Sequence, residues 1–238
     1  PELAFDYRED VSLDTRLVAA PTAATSLRHN SGGRLLNTDA IDLAPYLAPT
    51  EAINSDHAVV RLKVAELTGP LADEAARARA LFYFVRDHVR YSIYMISTRF
   101  EDFIASTTLE RGRGYCVQKA VLLAALTRAA GIPSRLAFAK IRNHRAPAEI
   151  AKQTGIDFLP SHGYTQLFLG GRWVSATPAF DKPLCEAIGV PAVEFNGTDD
   201  AVLAPEDLAG NRYVEYLEKF EPHVDLPFQW LMGRLRPI

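Results

Sequence analysis

Cysteine is scarce in this 238-residue chain, which has Cys116 and Cys185 and no others. Two thiols in a chain of this length make no disulfide framework, and without a CxxC pair or a Cys/His cluster they offer no structural zinc site. Long apolar runs are missing too. No stretch approaches the roughly 18 uninterrupted apolar residues of a membrane span, and the N-terminus lacks the charged, apolar, then small-residue succession of a secretory signal. The chain is therefore expected in the cytoplasm, although its start at Pro1 without methionine leaves room for a trimmed segment. Neither charge sign is in excess. A net charge of −3 gives no general pull toward nucleic acid, and no basic stripe, stacking motif or nucleic-acid module stands out. The "GRG" at 112–114 is not followed by the Lys-Ser/Thr of a phosphate loop. What is present, 48% hydrophobic against 23% charged residues, suits one large soluble domain or a core with appendages.

The first 55 or so residues mix short extended segments, "ELAFDYRED" and "TRLVAAPTAATS", with a turn-rich "HNSGGRLLNTDA". Asn54, Ser55 and Asp56 are plausible caps for a helix starting near His57 and stopping near Gly69-Pro70. In a second helix Leu71, Ala75, Ala78, Phe82, Val85 and Val89 recur at steps of three or four, one buried face. "YSIYMI" reads as extended and 97–115 as a polar loop arriving at Gly112 and Gly114. The helix after Cys116 is apolar almost all round, which places it in the middle of a domain; it ends at Gly131 with Pro133 beyond. "SRLAFAKIRNH" alternates as a strand. "HGYTQLFLGGRWVSATPAFD" is the clearest hairpin, turning at Gly170-Gly171, with His162, Tyr164, Gln166 and Phe168 on one face and Thr165, Leu167 and Leu169 on the other. After Lys182 the pattern is less regular, with a short helix expected at "NRYVEYLEKF" and an aromatic tail, "LPFQWLM".

A cysteine at a helix start lies among unpaired backbone N–H groups and the positive end of the helix dipole, which favour a thiolate and can also hold an oxyanion. Gly112 and Gly114 allow a tight turn and room for a substrate. Such a nucleophile needs a base on another element. Of six histidines, His162 is the best placed because it opens a strand; His29, His144 and His223 fall in polar or proline-flanked segments, and His57 and His88 lie near helix ends. Cys185 has no comparable setting and reads as structural, or at most as a minor redox site. Arg135, Lys140, Arg142, His144 and Arg145 form either a wall for an acidic substrate or, more simply, a solvated face.

These residues resemble the transglutaminase-like superfamily of papain-fold cysteine enzymes. "GRGYCVQKAVLLAALTRAAGIPSRL" is similar to its cysteine motif, "HGYTQLFLGGRWVSATP" to its histidine motif, and "VRDHVRYSIY" to its lead-in, over roughly residues 57–181. The resemblance implies an α+β fold with a central Cys-bearing helix packed on an antiparallel sheet. It implies Cys116 as nucleophile and His162 as general base and acid in acyl transfer on an amide or thioester. The family's histidine-orienting aspartate is missing from its usual place, where Ser175 or Thr177 stands; Asp181 is the nearest acid and the expected third catalytic residue, the alternatives being a neutral orienter, Ser175 or Thr177, or a degenerate site. The strand also reads His162, Tyr164, Gln166 where the family often has H-x-W-x-E.

The expected layout is a β-rich elaboration at 1–56, a core at 57–181 and an extension at 182–238 packed on the core. No cofactor and no metal is expected. The expected partner is a peptide, a protein or a small amide or thioester substrate, with no nucleic acid and no membrane. The competing reading is a binding or scaffolding module that keeps the fold without turnover. A metalloprotein using Cys116, His162 and Cys185 lacks ligand spacing. Hydrolysis and amide formation share a first half-reaction, and the sequence leaves the acceptor, the second oxyanion donor and the oligomeric state open.

Overall fold

A computed structural model describes residues 41–145 and 158–235. The extended segments expected before residue 40 lie outside the described residues. The described residues belong to one compact unit.

The organising element is a fully enclosed helix. Helix α1 (Ala58–Thr68) and helix α2 (Glu74–His88) come first; α2 is capped by Asp73, whose carboxylate accepts from the Ala76 N–H, and it buries Ala78, Leu81, Phe82 and Val85. The two-residue strand β1 (Arg90–Tyr91) follows. "YSIYMI", expected as extended, is mostly a 3-10 turn at Ile93–Met95. The expected polar loop contains a second 3-10 turn at Phe100–Phe103 and helix α3 (Ala105–Arg111), which ends at Gly112 with φ +65°. Strand β2 (Arg113–Gly114) pairs in parallel with β1 and leads straight into helix α4 (Cys116–Ala129). Every residue of α4 from Cys116 to Arg128 is buried. Burying side chains such as Leu122, Leu123 and Leu126, all fully enclosed, is worth about 1.5–3 kcal/mol each, as an upper bound.

One face of an antiparallel sheet packs on α4. Strands β3 (Ser134–Asn143), β4 (Leu159–Leu169), β5 (Arg172–Ala176) and β6 (Val214–Lys219) run in the order β5-β4-β3-β6. The β4–β5 hairpin turns at Gly170 and Gly171, φ +58° and +81°, as its alternation predicts. The face of β4 toward α4 is the Gly163, Thr165, Leu167 face: Thr165 Oγ1 donates to the Ala120 carbonyl at 2.9 Å. A Cβ on Gly163 would lie 2.9 Å from Val117 Cγ2 and 3.0 Å from Val117 Cα, so glycine is what allows helix and strand to come this close.

The C-terminal segment departs from expectation. "VEYLEK" is strand β6 rather than a short helix, antiparallel to β3 with Ile141 opposite Tyr216. The expected extension thus supplies an edge strand of the core sheet. Helix α5 (Lys182–Ile188) follows Asp181 and carries Pro183 in its first turn; helix α6 (Phe228–Leu235) carries the aromatic tail. Between them, residues 200–205 cross the sheet. Ala201 bridges Ala176 at the β5 edge, while the Pro205 carbonyl accepts from Tyr213 N–H at 2.7 Å beside β6. Among the described residues no helix is long and apolar enough to cross a membrane.

Candidate active site

Cys116 begins α4 directly after the β2 turn, and β1 holds that turn from outside. Arg90 N–H donates to the Gly112 carbonyl at 3.0 Å and Ser92 N–H to Gly114 at 3.1 Å. Gln118, fully buried, fixes the other side: its Oε1 accepts from Tyr115 N–H at 3.0 Å, and its Nε2 donates to the carbonyls of Met95 and Asp102 at 3.1 and 2.9 Å. The thiol is therefore anchored by backbone on both flanks.

The backbone N–H groups of Gly163, Val117 and Cys116 itself lie near enough to the thiol to push its pKa down, and Lys119 one turn along adds a small effect in the same direction. Burial outweighs them and raises the pKa to about 11. A helix start by itself predicts a depressed value; complete desolvation reverses the sign. Lys119 is itself fully buried, with Nζ donating to the Arg86 carbonyl at 3.0 Å, and desolvation pulls its pKa to about 7 against the opposing charges of Asp181 and Asp87.

His162 lies on β4 next to Gly163, the residue whose amide reaches Cys116, so the thiol and the His162 backbone belong to one contact between α4 and β4. The imidazole is on the opposite face of β4 from Thr165, stacked toward Tyr164 with ring centroids 6.2 Å apart and edge-on to Tyr216 at 6.3 Å. Residues 200–205 cover that face: Asp200 acts electrostatically on Tyr164, and Leu203 N–H donates to the Tyr216 hydroxyl at 3.3 Å. Enclosure without a charged partner lowers the His162 pKa to about 4, with desolvation as the cause, and Nε2 has no hydrogen-bond partner among the described residues.

Asp181 does not orient His162 in this structure. Its Oδ1 accepts from Leu184 N–H at 3.1 Å, capping α5, and its Oδ2 accepts from Tyr91 N–H at 2.8 Å. A strand bend at Pro178 was needed to bring the acid back to the imidazole; instead the chain goes directly into α5 and the carboxylate is consumed by two backbone amides. Thr177 adjoins the Tyr216 hydroxyl, and Ser175 accepts weakly from Gln166 Nε2 at 3.4 Å. Among the described residues no carboxylate acts on His162 in the aspartate's place.

Tyrosines are what sequence reasoning missed. Tyr91, Tyr115 and Tyr216 stand near enough to Cys116 that a thiolate would raise their pKa values further above the range that burial already sets. Tyr115 Oη, Ser161 Oγ and Tyr213 Oη, like His162 Nε2, are buried without a partner among the described residues, an uncommon density of unpaired polar atoms that calls for explanation. Tyr91 was legible in "VRYSIY" only as part of a strand. Gly163 carried a clearer signal, since glycine inside a strand marks close backbone approach.

The expected basic wall is tied up internally. Arg135 bonds Gln166 at 2.8 Å and stacks over Trp173; Lys140 lies over Phe158; Arg142 and His144 meet Glu215 at 3.2 and 3.6 Å; Arg145 meets Asp207 at 3.6 Å. Cys185 is buried, its pKa raised to about 11 chiefly by desolvation. No group of three or more His, Cys, Asp or Glu able to hold a metal occurs among the described residues.

No curated protein matches the chain. Among solved structures, a candidate cysteine protease from Cytophaga hutchinsonii matches at 20% identity over 76% of this chain and 54% of its own, with a TM-score of 0.47. The periplasmic domain of TgpA from Pseudomonas aeruginosa matches at 22% identity over 56% of this chain and 45% of its own, TM-score 0.40. The chain thus spans about half the length of each. The family model for the transglutaminase-like superfamily matches residues 62–178, a span containing α4, β3, β4, β5, Cys116 and His162. With an enclosed Cys-bearing helix packed on an antiparallel sheet across that span, the chain carries a domain of the transglutaminase-like superfamily.

Proposed function

We propose that this protein catalyses cysteine-dependent acyl transfer on an amide or thioester, with Cys116 as nucleophile and His162 as general base and acid. The observation that carries the reading is the three backbone amides converging on Cys116 Sγ, one of them from the residue after His162. The resting pair is neutral, since burial raises the thiol to about 11 and lowers the imidazole to about 4. Proton transfer therefore accompanies attack: Sγ bonds to the carbonyl carbon while its proton passes to the imidazole. The amide of Cys116 and the phenol of Tyr91 hold the developing oxyanion. As the tetrahedral adduct collapses, His162 returns the proton to the departing amine or thiol, leaving a thioester on Cys116. Water or an amine then attacks the thioester carbonyl, His162 accepting its proton and passing it to Cys116 Sγ as the C–S bond breaks, which restores the neutral pair. In this reading Asp181 serves indirectly, by pinning Tyr91 N–H, and not as a partner of the imidazole.

Incubation with an aryl thioester, followed by intact-mass measurement and peptide mapping with and without an added amine, tests the proposal. An acyl adduct on Cys116 that turns over, and is absent from Cys116→Ala, is expected; acylation confined to surface lysines would overturn it. The bare imidazole favours one alternative, a domain that binds without turnover, and the same outcome would select it.

A further inference from the structure

We propose that a cavity beside Tyr216 is the subsite for the acyl substrate, shaped for an apolar group that ends in a carboxylate; this rests on the acyl-transfer reading above. The cavity has a volume of about 480 Å³, within the usual range of small-ligand sites, roughly 300–1,000 Å³. It lies between the crossing segment, through Val202, Leu203 and Pro205, and strand β6, through Val214, Glu215 and Tyr216. Tyr216 is the wall it shares with the catalytic residues, because the same ring faces His162 edge-on at 6.3 Å and its hydroxyl feels charge on Cys116. Leu203 N–H fixes that hydroxyl at 3.3 Å. The cavity and His162 therefore meet at the Tyr216 side chain.

Its chemistry follows from its charges. The floor is aliphatic and aromatic. Of the charged lining groups, Glu215 is met by Arg142 at 3.2 Å and His144 at 3.6 Å, whereas Arg212 has no ion-pair partner among the described residues. A guanidinium on an apolar wall selects a carboxylate through charge-assisted hydrogen bonds. This differs from the basic wall raised by the sequence, whose side chains are tied to neighbours; the selecting cation comes from the segment leading into β6.

The test compares acyl-dipeptidyl chloromethyl ketones in which glutamate is exchanged for glutamine at each position in turn, read as second-order rates of Cys116 alkylation at pH 9. Iodoacetamide serves as the small probe that cannot reach the cavity. One glutamate probe is expected to react roughly tenfold or more faster than its glutamine twin. The preference should vanish in Arg212→Ala and invert in Arg212→Glu, with the iodoacetamide rate unchanged in both. Arg172→Ala, an exposed cation elsewhere, should leave the preference intact. Equal rates for every glutamate and glutamine pair, with iodoacetamide still labelling Cys116, would overturn the subsite and leave acyl transfer standing. A preference that survives Arg212→Ala, or falls equally in Arg172→Ala, would also overturn it. Failure of every electrophile at Cys116 would overturn both.

Discussion

The two halves of the candidate site are built unequally. On the α4 side, Cys116 receives three backbone amides, a capped turn held by β1 and a ring of tyrosines. On the β4 side, His162 has burial and two aromatic neighbours but, among the described residues, no carboxylate and no partner for Nε2. The proposed nucleophile is positioned by the fold itself, through groups that every residue has, while the proposed base has no carboxylate partner among the described residues. Such an arrangement keeps the thiol geometry robust and leaves the protonation state of the imidazole to solvent exclusion.

The contact between the two halves is the first place to break the comparison. Gly163→Ala forces a methyl against Val117 and should cost about 1–3 kcal/mol of stability, read as a lowered midpoint in urea, together with slower acylation of Cys116. An unchanged midpoint would mean that α4 and β4 are free to separate.

Acid should weaken the base side selectively. Because the folded imidazole has its pKa lowered to about 4 from 6.5, the unfolded chain binds the extra proton between those values. Stability is thus full above about pH 6.5 and falls as pH drops toward 4, by at most about 1.4 kcal/mol per unit. His162→Gln should flatten that part of the profile in denaturant titrations at fixed pH; an unaltered slope would assign it to other groups.

Supplying the missing acid should sharpen the comparison from the other direction. Thr177→Asp places a carboxylate where the family's aspartate is expected and should raise the His162 pKa by roughly 1–3 units, followed by NMR of the imidazole. No movement would show that position 177 does not face the ring.

The smallest effect belongs to Asp181. Asp181→Asn removes one of two acceptors, at Leu184 N–H or at Tyr91 N–H, and should cost about 1 kcal/mol, with acylation slowed modestly through Tyr91. A collapse of activity with intact stability would return Asp181 to the catalytic set.

The central helix and the hairpin were legible because their patterns are long and unambiguous: α4 is apolar all round, and β4 and β5 alternate up to a double-glycine turn. Strand β6 was read as helix because Val214, Tyr216 and Leu217 satisfy either period, and its pairing with β3 comes from tertiary contact. Helix α3 escaped because a short polar helix has little periodicity, and α5 escaped as well, although Asp181 and Pro183 carry the signals of its cap and first turn. Cys116 stood out because it begins a helix, and His162 because the sequence pattern opens a strand there, although β4 already begins at Leu159 and holds His162 in its interior. Tyr91 and Tyr216 gave none, since they reach the thiol from separate elements, and Asp181 looked suitable only by distance along the chain.

The most direct test is the rate at which an aryl thioester acylates Cys116 in the wild type, in His162→Ala and in Asp181→Asn. The account predicts a loss of about 10²–10⁴-fold in the first variant and less than about tenfold in the second, the size of one lost hydrogen bond. Acylation of His162→Ala at the wild-type rate would contradict it.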